Sequence, residues 1–211
     1  DKSDASGFAP EKRASLEAQI ANLADEIAYN GHDLDDGLRA ELFTVDELNS
    51  LAIWRELMEA VGWDGKRPFT PIIRHEIIRE LIGRSITDVL QQTATYLDVL
   101  NLDTAAKIQT HSENIVGYSP QFGVKIQRLK QFLYERMYRH YRLMRMQFKA
   151  ERFISELFNV YLEHPTMLPD SHRPRLAQEP LPRVITDYIA GMTDRYALDE
   201  WQKIFNPYER T

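Results

Sequence analysis

Apolar residues recur every three or four positions along most of the chain, which is the spacing of amphipathic helices. The first such stripe predicts a helix of about 20 residues, and it comprises Leu16, Ile20, Leu23 and Ile27. Gly31 follows, and the acidic run from Asp33 to Gly37 is polar and contains glycine, so it predicts a turn.

The same spacing predicts helices in the rest of the chain. Thr44 and Glu47 form a capping box for a second helix that continues to Val61. Pro71 suits the first turn of a third helix, which continues to Tyr96. Segment 101–120 is polar and less periodic, whereas 121–140, 141–162 and the stretch from 183 onward through Gly191 have helical spacing. No segment alternates as a strand does, so the predicted fold class is all-α.

Composition narrows the class of protein. The 211 residues are 43% hydrophobic and 27% charged, as in a soluble globular protein. The chain has no cysteine, which excludes disulfides, thiolate metal sites and a cysteine nucleophile. No apolar run approaches the ~20 residues of a membrane span, so we expect no membrane partner. A cytoplasmic location is consistent with this composition and is our prediction.

Charge is unevenly distributed. Residues 1–60 hold 14 acidic and five basic residues, a net charge of −9. Residues 125–152 hold nine basic and two acidic residues, a net charge of +7. An acidic helix that holds a cation and a basic helix that holds an anion would suit a metal–phosphate site. Two solvated faces of amphipathic helices would give the same distribution.

Asp25, Tyr29 and Asp33 lie at intervals of four residues, which places them on one stripe of the first helix. A carboxylate there is a possible metal ligand, and a tyrosine and a second carboxylate could hold a polar substrate. The spacing is equally typical of a solvent-facing aspartate, a half-buried tyrosine and an aspartate near a helix end. The pattern alone leaves both interpretations open.

Three segments resemble the bacterial deoxyguanosinetriphosphate triphosphohydrolase-like proteins, a branch of the HD-domain superfamily. They are SLEAQIANLADEIAYNGHDLDDGL (15–38), VGYSPQFGVKIQRLKQFLYERMYRH (116–140) and RVITDYIAGMTDRYALDEWQKIF (183–205). The resemblance implies a multi-helix HD-type bundle that hydrolyses a deoxynucleoside triphosphate to a deoxynucleoside and triphosphate. It also implies a divalent cation (Mg, Mn or another transition metal), a homo-oligomer and, as in some members, a possible single-stranded nucleic-acid partner.

The resemblance also implies roles for individual residues. Asp25 matches the last metal-ligand aspartate of the family, Tyr29 the tyrosine that packs on the deoxyribose, and Asp33 the acceptor for the 3′-hydroxyl. Lys130 matches a phosphate-binding basic residue, and Tyr138 matches a tyrosine at the edge of the sugar. A surface lysine and a core tyrosine would explain the last two positions equally well.

The sequence departs from the family because it lacks the histidine ligands and the residues that serve the catalytic water, so no catalytic residue is assigned. We expect a C-terminal portion of a longer protein that has no activity alone. The expected organisation has a loop or disordered break at 1–10 and the helical hydrolase portion at 11–163. A proline-rich connector follows at 164–182, and helices at 183–211 pack on the same domain.

Two other functions stay open. The chain could be a non-catalytic helical module that binds nucleic acid or a protein through the basic 125–152 stretch, where aromatic residues alternate with Arg and Lys. It could also be a helical scaffold without a ligand.

Overall fold

A computed structural model describes residues 12–210, so the prediction for 1–10 lies outside the described residues. The chain divides into two compact units, the first ending at His140 and the second beginning at Tyr141. Between residues 12 and 210 every regular element is helical, which confirms the all-α prediction. In the same range, no helix combines the length and the apolar character needed to span a membrane.

Unit 1 is built around two long helices, α1 and α4. Its elements are α1 (Leu16–Arg39), α2 (Val45–Leu48), α3 (Ala52–Ala60), α4 (Pro71–Val99), α5 (Ala105–Thr110), α6 (Pro120–Leu133) and a π-helical turn at Tyr134–Tyr138. The core lies between α1, α3, α4 and α6 and includes Leu34, Trp54, Leu81 and Leu129, all almost fully buried. Burial of these apolar side chains is the main stabilising contribution to the unit.

Helix α1 is longer than the sequence predicted. The turn expected at Asp33–Gly37 is wrong, because the helix continues to Arg39. Leu34 is fully buried one turn beyond Gly31 and extends the apolar stripe. The Arg74 guanidinium donates a 2.6 Å hydrogen bond to the Asp35 carboxylate. The acidic run therefore belongs to a helix whose Leu34 and Gly37 are buried in the core.

Three other element boundaries also differ from the predictions. The second predicted helix is broken at Leu51, whose extended backbone separates α2 from α3. Segment 101–120 contains the short helix α5. The last predicted helix is broken after Gly191, where the Thr193 side chain caps a new helix.

Unit 2 contains α7 (Tyr141–Glu163), 3₁₀ turns at Pro165–Met167 and Arg173–Ala177, α8 (Leu181–Ala190) and α9 (Asp194–Phe205). Leu157, Tyr161, Leu168 and Val184 are fully buried in its core. Arg175 forms ion pairs with Glu179 and Asp187, which ties the proline-rich segment to α8. Helix α7, which lies in the predicted segment 11–163, packs with α8 and α9 of the predicted segment 183–211.

Candidate functional site

A cleft of about 790 Å³ lies between α1 and α6 in unit 1. All five residues that the sequence analysis assigned to a metal or substrate line this cleft: Asp25, Tyr29, Asp33, Lys130 and Tyr138. The first three lie on α1, whereas the last two come from α6 and the π-helical turn after it. Residues that are about 100 positions apart in sequence thus share one surface.

Packing and hydrogen bonds fix the position of α1. The buried Gln19 side chain accepts hydrogen bonds from the backbone N–H groups of Ile115 (2.8 Å) and Val116 (3.2 Å). Gly31 packs so closely on α4 that an added Cβ would lie 3.1 Å from Cδ1 of Ile82. These contacts hold the first wall of the cleft against the core.

The start of α6 is fixed in a different way. The Ser119 side chain caps the helix by accepting from the Phe122 N–H. Its hydroxyl and its backbone N–H both donate to the Asp88 carboxylate, at 2.6 Å and 2.7 Å. Because a negative charge at a helix N-terminus is favourable, Asp88 also stabilises this end of α6.

The carboxylate of Asp25 faces solvent in the cleft. It makes no hydrogen bond or ion pair to another side chain among the described residues. Between residues 12 and 210, no three His, Asp or Glu side chains are grouped closely enough to hold a metal ion. Since catalytic metals take about three protein ligands, Asp25 fits a metal site only together with ligands from elsewhere.

Tyr138 and Asp33 join the two walls of the cleft. The Tyr138 hydroxyl donates a 2.6 Å hydrogen bond to Oδ2 of Asp33. This hydrogen bond, with some desolvation and the charge of Asp33, raises the pKa of Tyr138 to about 12. Asp33 therefore has one oxygen engaged by Tyr138, while Oδ1 is available to accept a hydrogen bond.

Lys130 and Tyr138 share the cleft through an irregular backbone. A regular helix would rotate Tyr138 by about 80° relative to Lys130 over eight residues. Residues Tyr134–Tyr138 instead form a π-helical turn, which is wider than an α-helical one. Such turns are frequent at functional sites, and no sequence signal predicted this one.

Several cleft residues were missed by the sequence analysis. They are Asn22, Glu26 and Asn30 on α1, and Gln127, Gln131 and Tyr134 on α6 and the π-helical turn. All of them except Gln131 lie three or four residues from an assigned position, which was a usable signal because such neighbours share a helix face. Glu26 forms an ion pair with Lys130, with Nζ and Oε2 separated by 3.0 Å.

Several buried polar groups of unit 1 lack hydrogen-bond partners among the described residues, and one of them, Asn30, lines the cleft. The Asn30 side chain is buried, and its Nδ2 makes no hydrogen bond to any described residue. The Tyr118 hydroxyl is buried and similarly lacks a partner among the described residues. Burial, followed by the nearby charges of Glu26 and Asp88, raises the pKa of Tyr118 well above its usual value.

The charged residues that line the cleft are three acids and one base, namely Asp25, Glu26, Asp33 and Lys130. Their formal charge at neutral pH is −2. Such a surface attracts a divalent cation and repels a polyphosphate that arrives without one. The charge of the lining therefore favours a cation over a free anion.

The basic stretch 125–152 is divided between the two compact units. It crosses the division at His140, and four of its nine cations are paired with carboxylates. The pairs are Lys125–Glu56, Lys130–Glu26, Arg136–Glu47 and Arg152–Glu156. Much of the local charge of +7 is therefore neutralised.

Comparison with known proteins gives a consistent family. Residues 116–203 match the phosphohydrolase-associated domain. This range of the chain includes α6 and most of unit 2. The deoxyguanosinetriphosphate triphosphohydrolase-like proteins of Geobacter sulfurreducens and Geobacter metallireducens are 40% and 41% identical over 209 and 207 residues. These matches cover 97% and 96% of this chain and 53% of each relative.

A protein of Deinococcus radiodurans with the same description, numbered 1, is 39% identical over 189 residues, which are 90% of this chain and 50% of the relative. The chain thus spans about half the length of the curated relatives it matches. The predicted resemblance is confirmed: nearly the whole chain is similar to about half of the length of deoxyguanosinetriphosphate triphosphohydrolase-like proteins.

Proposed function

We propose that this chain supplies the sugar- and phosphate-binding part of a deoxynucleoside triphosphate triphosphohydrolase. The reaction is hydrolysis of a deoxynucleoside triphosphate, with dGTP as one candidate, to a deoxynucleoside and inorganic triphosphate. The observation that carries the proposal is the convergence in one cleft of all five residues assigned from the sequence. The names of the relatives support the same class of substrate.

The sugar would bind between the two tyrosines. Tyr29 is 59% exposed, so its ring is available to pack on a deoxyribose, where a 2′-hydroxyl would clash. Oδ1 of Asp33 would accept a hydrogen bond from the 3′-hydroxyl, while Tyr138 holds the other oxygen. The hydrogen bond from Tyr138 thus fixes the orientation of the acceptor.

A divalent cation (Mg, Mn or another transition metal) would be held partly by Asp25. When bound, such an ion polarises a phosphate and lowers the pKa of its water. The charge of −2 in the cleft supports a cation, and the exposed carboxylate of Asp25 has no competing partner among the described residues. Lys130 would stabilise the negative charge on the departing triphosphate.

The cation needs further ligands, which we propose lie in the other half of the whole protein. We therefore propose that the 211-residue chain alone does not hydrolyse deoxynucleotides. Purified chain incubated with dGTP and Mg²⁺ or Mn²⁺ should release no triphosphate. Turnover by this chain would contradict the assignment of Asp25 as one member of a larger ligand set.

The sugar roles are tested in the whole protein by comparing dGTP, GTP and 2′,3′-dideoxy-GTP. Tyr29→Ala should reduce the ratio of kcat/KM for dGTP to that for GTP, because the clash with the 2′-hydroxyl is removed. Asp33→Asn should remove the preference for dGTP over the dideoxy substrate. Tyr134→Ala, a matched change at another exposed tyrosine of the cleft, should leave both ratios unchanged. Unchanged ratios in all three variants would exclude the proposed sugar pocket.

We further propose that the whole protein is a cytoplasmic homo-oligomer. Light scattering after size-exclusion chromatography should give a mass that is a multiple of the mass of one subunit. A single-subunit mass at micromolar concentration would contradict this part of the proposal.

A second candidate function is binding of single-stranded nucleic acid by unit 2. The first half of α7 exposes Phe148 (67% exposed) beside the cations Arg145 and Lys149. Aromatic and cationic side chains together are typical of single-strand binding surfaces. Phe148→Ala should weaken binding of fluorescent oligothymidine, whereas equal binding by the variant and the unchanged chain would exclude this surface.

A further inference from the structure

Glu26 is the closest charged partner of the candidate phosphate-binding residue. Its carboxylate lies on α1, and Oε2 is 3.0 Å from the Lys130 ammonium on α6. The two side chains are 34% and 48% exposed, respectively, and both line the cleft. An anion that enters the cleft therefore meets a lysine that already has an anionic partner.

We propose that Glu26 is a positioning residue that holds Lys130 in the cleft as an exchangeable ion pair, which the triphosphate displaces on binding. This inference rests on the proposed function, because it concerns the affinity of the same site. It assigns a role to a residue that neither the spacing analysis nor the family resemblance singled out.

The exchange follows from charge and exposure. Lys130 cannot fully satisfy both the Glu26 carboxylate and a phosphate, since the two anions repel each other at this separation. A partly exposed ion pair is weak, so an incoming polyphosphate can replace it without leaving a buried charge unpaired. Glu26 then turns toward solvent, to which it is already partly exposed.

The pair has two opposite effects on phosphate binding. It keeps the flexible lysine side chain within the cleft, which lowers the entropy lost when the phosphate binds. It also competes directly with the phosphate for the Lys130 ammonium. We expect the competition to have the larger effect on affinity. Ordering an exposed lysine in advance saves little entropy, whereas the Glu26 carboxylate must be displaced each time a phosphate binds.

The test uses the whole protein and inorganic tripolyphosphate, with affinity measured by calorimetry in the presence of Mg²⁺ and by inhibition of dGTP hydrolysis. Glu26→Gln should lower the dissociation constant by about two- to fivefold, which corresponds to the strength of an exposed ion pair. Lys130→Gln should weaken binding. Asp36→Asn, on the same helix but outside the cleft, should have no effect.

The double variant Glu26→Gln with Lys130→Gln distinguishes action through Lys130 from a general effect of removing one negative charge. If Glu26 acts through Lys130, Glu26→Gln has no effect on affinity once Lys130 is absent. An equal gain in both backgrounds would show a general charge effect and overturn the inference. Unchanged or weaker binding by Glu26→Gln alone would also overturn it.

A structural role for Glu26 would change stability instead of affinity, so urea denaturation of each variant completes the test. We expect Glu26→Gln to lower the denaturation midpoint only slightly, because an exposed ion pair contributes little to stability, whereas a purely structural role would leave affinity unchanged. If the unsubstituted protein neither binds tripolyphosphate nor hydrolyses dGTP, the proposed function fails, and the inference fails with it. Binding by the unsubstituted protein without the predicted gain would overturn the inference alone.

Discussion

Gly37 provides the sharpest test of how α1 packs. A Cβ added at this position would lie 2.2 Å from Cε1 and 2.4 Å from Cζ of Phe43. The Phe43 ring is buried, and it packs edge-on against Phe132 with ring centroids 5.2 Å apart. Gly37→Ala therefore forces a buried aromatic ring to move within a packed core.

The size of the effect follows from two opposing contributions. Overpacking a core costs about 1–3 kcal/mol, and a clash this close with a buried ring belongs in the upper part of that range. Replacing a helical glycine by alanine stabilises the folded state by about 1 kcal/mol, because alanine has the higher helix propensity. We expect Gly37→Ala to lower the free energy of unfolding by about 1–2 kcal/mol.

Gly83 in α4 is the matched control. It is also helical, but an added Cβ would contact no atom within 4 Å. Gly83→Ala should therefore raise the free energy of unfolding by up to about 1 kcal/mol. The two substitutions are chemically identical, so the difference between them isolates the contact with Phe43.

Urea denaturation followed by tryptophan fluorescence measures both effects. Trp54 and Trp63 are buried in unit 1, and a Trp201→Phe background removes the tryptophan of unit 2. The midpoint should fall for Gly37→Ala and rise for Gly83→Ala, with the same slope. Equal stabilisation by both variants would refute the packing of α1 on Phe43.

Three further predictions concern contacts that position the cleft. Gln19→Leu should lower the free energy of unfolding by about 2–4 kcal/mol, because two buried backbone N–H groups lose their acceptor; an unchanged urea midpoint would contradict this. Arg74→Met should lower the free energy of unfolding by about 1–3 kcal/mol, because it leaves the partly buried Asp35 carboxylate unpaired. Arg39→Met, which breaks an exposed ion pair, is the control and should change the free energy of unfolding by at most about 0.5 kcal/mol. The raised pKa of Tyr138 favours the folded state below pH 10, and this contribution is lost as pH rises to about 12. Asp33→Asn should return that pKa toward 10, as measured by difference absorbance against Tyr138→Phe.

The helical class was predictable because its signal is local. Apolar residues at intervals of three and four mark the faces of α1, α4 and α7 regardless of what they pack against. The end of α1 was not predictable from local composition. The last turns of α1 are held by tertiary contacts: Leu34 is buried in the core, and Asp35 pairs with Arg74, which lies 39 residues away. Polar residues alone resemble a turn.

The candidate site was predictable only where residues share one helix. The spacing of Asp25, Tyr29 and Asp33 places them together without any knowledge of the fold. Lys130 and Tyr138 were assigned from the family resemblance, since nothing local reports that α6 lies opposite α1. The π-helical turn and the pairing of Glu26 with Lys130 depend on tertiary packing, so neither was predictable from local sequence.

The central claim is that Asp25 contributes to a metal site for triphosphate release. The most direct measurement is release of inorganic triphosphate from dGTP by the whole protein with Mn²⁺, together with Mn²⁺ binding followed by electron paramagnetic resonance. Asp25→Asn should abolish release and weaken Mn²⁺ binding by at least about tenfold, while Asp36→Asn should leave both unchanged. Release and Mn²⁺ binding by Asp25→Asn at the level of the unsubstituted protein would contradict the account.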